Sequence, residues 1–91
     1  MHREVFAMKF YYVTFRSATH GQRGEKLLRE NGIRCNLLRT PRWMEAKGCG
    51  YSLRIRTEDI GGVAELLQKN TVPMQKIYIQ SENGNLEEMR L

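Results

Sequence analysis

Cys49 stands between two glycines, Gly48-Cys49-Gly50, where a basic, proline-containing stretch (Arg39-Thr40-Pro41-Arg42) gives way to the strand-like run Tyr51-Ser52-Leu53-Arg54-Ile55-Arg56. Neither neighbour has a side chain to shield the sulfur, and such backbone can bend freely and let a partner approach closely. An ordinary cysteine has a pKa of about 8.5 and is only about 3% thiolate at pH 7, whereas one unit of depression raises that to roughly a quarter. Arg39, Arg42 and Lys47 are the cations near it in sequence, and the Gly48 and Gly50 amides can donate hydrogen bonds to an anionic sulfur. The sequence offers Cys49 no reliable histidine or acid partner. The pattern therefore suits a cysteine that accepts and passes on a group rather than one that hydrolyses a bond. The competing reading is a small apolar residue packed beside a turn, as free cysteines often are.

The other chemically competent residues are less pointed. Cys35 alternates with Ile33 and Leu37 and is expected in the core. With Leu38 facing Gly50 across a hairpin, Cys35 faces Leu53, and the two sulfurs stand about 13 Å apart, beyond disulfide reach. His20, near the start of a helix, is expected to cap or face solvent. Trp43 and Met44 lie in the long loop, either as a contact patch or tucked over the sheet edge. Tyr12, Tyr51 and Tyr78 are candidates for the open face of a sheet, which raises an RNA-binding reading. The basic-Gly-aromatic signature of that class is missing, however, since Gly50-Tyr51-Ser52-Leu53 stands in its place.

Composition narrows the class. Ninety-one residues make one domain, with a core expected over about residues 8–80 and a polar tail over 82–91. The 41% hydrophobic and 27% charged residues fit a globular fold rather than a disordered chain. Two cysteines make neither a disulfide framework nor a metal-binding set, so no metal and no cofactor is expected. The start of the chain lacks the apolar core of a signal peptide and no run is long enough to cross a bilayer, so a cytoplasmic location and no membrane partner are expected. The net charge of +5 favours acidic partners.

The elements that must position Cys49 follow from a weak internal repeat. At an offset of 39 residues, Leu27-Leu28-Arg29-Glu30-Asn31-Gly32-Ile33 matches Leu66-Leu67-Gln68-Lys69-Asn70-Thr71-Val72, and Tyr12-Val13-Thr14-Phe15 overlies Tyr51-Ser52-Leu53-Arg54. Each half reads as strand, helix, strand. Strands are expected at 9–15, 33–37, 51–56 and 76–80. The first helix is capped by Ser17 or Thr19 and stopped by Asn31-Gly32; its apolar face is thin. Thr57 is expected to cap the second, with Ile60, Val63, Ala64 and Leu67 at helical spacing. Gly61-Gly62 either brings that helix close to the sheet or frays its first turn. The order βαββαβ predicts an α+β, ferredoxin-like sandwich: a four-stranded antiparallel sheet with two helices on one face. Bare strand edges and aromatic faces suggest a homodimer.

Thr40-Pro41-Arg42, then Cys49-Gly50, then a strand with Leu53-Arg54 resembles a small bacterial domain of unknown function described as selenium/sulfur carrier protein-like. The first strand, Ser17, Glu25-Lys26-Leu27-Leu28 and Gly32-Ile33 extend the resemblance over residues 9–80. It implies that Cys49 matches the family's Cys-Gly cysteine and Pro41-Arg42 its Pro-Arg loop, while Cys35 matches no family cysteine. It implies a non-hydrolytic carrier that takes a sulfane sulfur or selenium onto Cys49, with a cysteine desulfurase or selenium-metabolism proteins as partners. The alternative is a binding or regulatory module for an anion, a protein or, ranked last, RNA, with Cys49 incidental.

Overall fold

A computed structural model of the chain describes residues 9–40, 50–81 and 84–89. Five strands and two helices follow in the order β1 (Lys9–Phe15), α1 (Ala18–Glu30), β2 (Arg34–Arg39), β3 (Tyr51–Thr57), α2 (Ile60–Lys69), β4 (Ile77–Gln80) and β5 (Leu86–Met89). They form one antiparallel sheet in the order β2-β3-β1-β4-β5. Two helices on an antiparallel sheet agree with expectation, but the sheet has five strands where four were expected. The fifth comes from the segment read as a polar tail: Gly84 (φ 90) turns the chain back, and β5 pairs with β4. The four-stranded ferredoxin-like description therefore does not cover this sheet.

Alternation along the strands decides which face is buried. Val13, Phe15, Leu53 and Ile55 point to one side and are fully buried with Leu28 of α1 and Leu67 of α2. A Cβ placed on Gly24 would stand 3.1 Å from Leu53, 3.3 Å from Phe15 and 3.4 Å from Leu67, so both helices meet over this face. That close approach explains the thin apolar stripe of α1. Here packing comes from the absence of a side chain, with Gly21 similarly crowded by Leu37.

The repeat holds in the helices and fails in the strands. Gly21, Gly24 and Leu28 of α1 are buried at the same positions as Ile60, Val63 and Leu67 of α2. Both helices also end alike: Ile33 N–H donates to Leu28 O and Val72 N–H to Leu67 O, each at 2.9 Å. These closures require a left-handed residue, which is Gly32 (φ 75) after α1 and Thr71 (φ 58) after α2. By contrast, Tyr12 and Tyr78 are cross-strand partners on the open face, while Tyr51 pairs with Phe15 on the helix face. Tyr51 therefore does not join the open-face aromatics.

Capping at α1 follows the sequence, with Ser17 Oγ accepting from His20 N–H at 3.2 Å. At α2 the cap is Asp59, not Thr57: its carboxylate accepts from Gly62 N–H at 2.9 Å, and Thr57 Oγ1 accepts from Asp59 N–H at 3.0 Å. Gly62 is crowded by that same carboxylate, so it makes room for the cap rather than for the sheet. On the outer side of β2, Glu25 Oε2 accepts from Leu37 N–H at 3.3 Å and Arg29 donates to Cys35 O at 3.1 Å. Glu25 and Arg29 are themselves paired at 3.3 Å.

Candidate functional site

β2 and β3 form a hairpin that is open at Arg34 and Arg56 and is connected at the Thr40 and Gly50 end. The ladder runs from Arg34↔Arg56 to Arg39↔Tyr51, and Thr40 N–H then donates to Gly50 O at 3.0 Å. Cys35 therefore faces Ile55, two residues farther along than the sequence register had it. Ile55 lies five residues beyond Gly50, about 16 Å at strand rise, which separates Cys35 further from the loop.

Two stem residues fix the base of this loop. Thr40 and Ser52 are 4% and 0% exposed, and their hydroxyls share a hydrogen bond of 2.6 Å. Gly50 is buried between them and the end of β1: a Cβ there would stand 3.3 Å from Phe15 O and 3.4 Å from Thr40 Oγ1. Ser17, the α1 cap, follows Phe15 by two residues, so the positive end of that helix lies at the same end of the sheet as the loop stem.

The expected site residues divide sharply. Gly50 is this buried stem residue. Arg39 is exposed, and its guanidinium carbon lies 5.8 Å from the Tyr51 ring centroid. Cys49, Arg42, Lys47 and Gly48, with Pro41, Trp43 and Met44, lie outside the described residues. Cys35 is a core residue as expected: it is 5% exposed, and its Sγ is 3.8 Å from Glu25 O. Burial pushes its thiol above the ordinary cysteine value; Arg29 opposes this and the Glu25 carboxylate adds to it. His20 is half-buried in the first turn of α1, and no metal-binding group of His, Cys, Asp or Glu occurs among the described residues. None of the helices described is long and apolar enough to cross a membrane.

A second basic group escaped the sequence reading. Arg34, Arg54 and Arg56 occupy neighbouring positions on the open face of β2 and β3. The signal was present as period-two spacing, Arg34-x-Asn36 and Arg54-x-Arg56, which in strands places polar groups side by side.

A family model described as "Putative Se/S carrier protein-like" matches residues 10–79, from the second residue of β1 into β4, and leaves β5 outside. Comparison with curated proteins and with solved structures gave no match.

Proposed function

Since this chain belongs to the Se/S carrier protein-like family over residues 10–79, we propose that it carries a sulfane sulfur or selenium and that Cys49 bears the cargo. The observation that supports this choice is the contrast between the two cysteines. Cys35 is sealed in the core with its thiol pushed toward the neutral form, which is a poor nucleophile. Cys49 is bonded to Gly50, the buried stem of a loop whose sequence carries Arg42 and Lys47.

In the proposed exchange the Cys49 thiolate attacks the outer sulfur of a donor persulfide. A new S–S bond forms as the donor's bond breaks, and the donor cysteine leaves as a thiolate with the electron pair. No external oxidant or reductant is consumed. An acceptor thiolate attacking the same outer atom restores Cys49; with selenium the carried form is a selenosulfide. Arg42, Lys47 and Arg39 would favour the anionic forms, and the Gly48 and Gly50 amides would hydrogen-bond to them. A cysteine desulfurase suits the donor role, in a cytoplasm where thiols stay reduced.

The test is mass spectrometry of the intact protein after incubation with a desulfurase and cysteine. Wild type and Cys35→Ser gain about 32 Da, one sulfur, while Cys49→Ser gains none. Equal labelling of Cys49→Ser would sink the carrier mechanism. The alternative reading, a binding module in which Cys49 is incidental, has one observation in its favour: the arginine group on the open sheet face.

A further inference from the structure

Among the described residues, the open face of β2 and β3 holds three arginines and no acid. Cross-strand pairing sets Arg34 opposite Arg56, Asn36 opposite Arg54, and Phe10 and Tyr12 opposite Arg56 and Arg54 on the other side of β3. The Arg54 guanidinium carbon lies 4.0 Å from the centroid of the Phe10 ring and that of Arg56 5.9 Å. Stacking on an aromatic face leaves the edge of a guanidinium, where its N–H groups point, free to bind. Arg54 Nε is buried and has no hydrogen-bond partner among the described residues. A groove of about 530 Å³ runs past Phe10, Arg29, Arg34, Asn36, Arg54 and Arg56, and none of the described residues lining it is acidic. The ion pair found among the described residues is spent on Arg29, leaving the other three without one.

Like charges placed directly opposite each other on a sheet destabilise it. The fold gains nothing from this juxtaposition, whereas an anion in the groove relieves it. Guanidinium forks match phosphate oxygens in paired hydrogen bonds, and three forks on one patch suit more than one negative charge. The groove is of small-molecule size. The basic patch also ends abruptly: across β1 and β4, the same face carries Glu88 of β5 opposite Tyr78. A nucleic-acid strand laid across the sheet would run onto that acid, while a compact ligand stays among the arginines.

We infer that this face, between β2 and β1, is a binding site for a small phosphorylated molecule gripped by Arg34, Arg54 and Arg56, with Phe10 and Asn36 positioning them. The inference is independent of the carrier reading.

The experiment is an NMR titration of the full chain with inorganic pyrophosphate at low salt, repeated with inorganic phosphate and with a single-stranded RNA oligonucleotide. Saturable one-to-one binding of pyrophosphate is expected, with amide shifts concentrated at residues 10, 34–36 and 54–56. Arg34→Gln and Arg56→Gln, both at exposed positions, each weaken it by about tenfold and leave the protein folded. Cys49→Ser binds as wild type, so this site and the carrier role fail or survive separately. Absence of saturable binding at millimolar pyrophosphate would overturn the inference. So would unchanged affinity in both arginine variants, or tighter binding of the oligonucleotide with steep loss in salt.

Discussion

The Thr40–Ser52 hydroxyl pair makes a sharp claim about what holds the loop stem. Both groups are buried and bonded at 2.6 Å, so removing one hydroxyl leaves the other unsatisfied. A buried, unpaired polar group costs about 1–3 kcal/mol, so Thr40→Val and Ser52→Ala should each cost about 2 kcal/mol. Making both changes removes both polar groups, and the double variant should cost about 1 kcal/mol or less. The singles sum to about 4 kcal/mol, leaving a coupling of about 3 kcal/mol, the upper end for residues in direct contact. In thermal unfolding each single variant should melt roughly 10 °C lower, and the double should recover most of that loss. Urea titration at fixed temperature gives the free energies directly. If the double variant costs as much as the two singles added together, the hydroxyls do not satisfy one another and the reasoning is wrong.

Three further predictions come from the helix ends and the core thiol. Gly32→Ala should cost about 1–2 kcal/mol by forcing a side chain into left-handed backbone, and since its Cβ would meet nothing within 4 Å the loss is conformational alone. Thr71→Gly at the equivalent exposed position should stabilise by about 0.5–1 kcal/mol, the relieved strain less the greater freedom of unfolded glycine; urea unfolding reads both, and a loss in the second refutes the equivalence. The third concerns pH. Because folding raises the Cys35 thiol above its ordinary value, its folded form holds the proton more tightly than the unfolded chain. Stabilisation from this source is complete below the unfolded value and is lost as pH climbs from there through the folded one. The stability of wild type relative to Cys35→Val should therefore be constant below about pH 8 and shrink above about pH 9, whereas a gap unchanged at pH 10 would show that the thiol stays unperturbed.

Legibility in the sequence followed the side chains available to signal it. β1 and β3 announced themselves by aromatic and β-branched residues, and α2 by Ile60, Val63, Ala64 and Leu67. α1 was faint because Gly21 and Gly24 pack by having nothing to show. β5 was hidden by Glu87 and Glu88, which write a solvated tail in composition while the backbone pairs with β4 and Met89 rests against the core. Thr57 and Asp59 compete as caps in one short segment, and only geometry separates them. The hairpin register slipped by two residues because a long loop, unlike a tight turn, does not pin it. Of the expected site, Gly50 and Arg39 have a described setting, and the alternation that kept Cys35 in the core was correct. The arginine group went unnoticed because its members belong to different strands, and spacing within one strand says nothing about its neighbour.

The side chains of Glu25 and Arg29 occupy hydrogen-bonding groups that an outermost strand would otherwise offer to a foreign one. Along the middle of β2 the sheet is thus closed off by its own helix, and lateral growth there would first have to pry apart an ion pair. Crowding of many copies then brings together β2 edges that cannot zip along their middle. The edge at β2 thus gains a safeguard against fibre formation from two residues one helical turn apart.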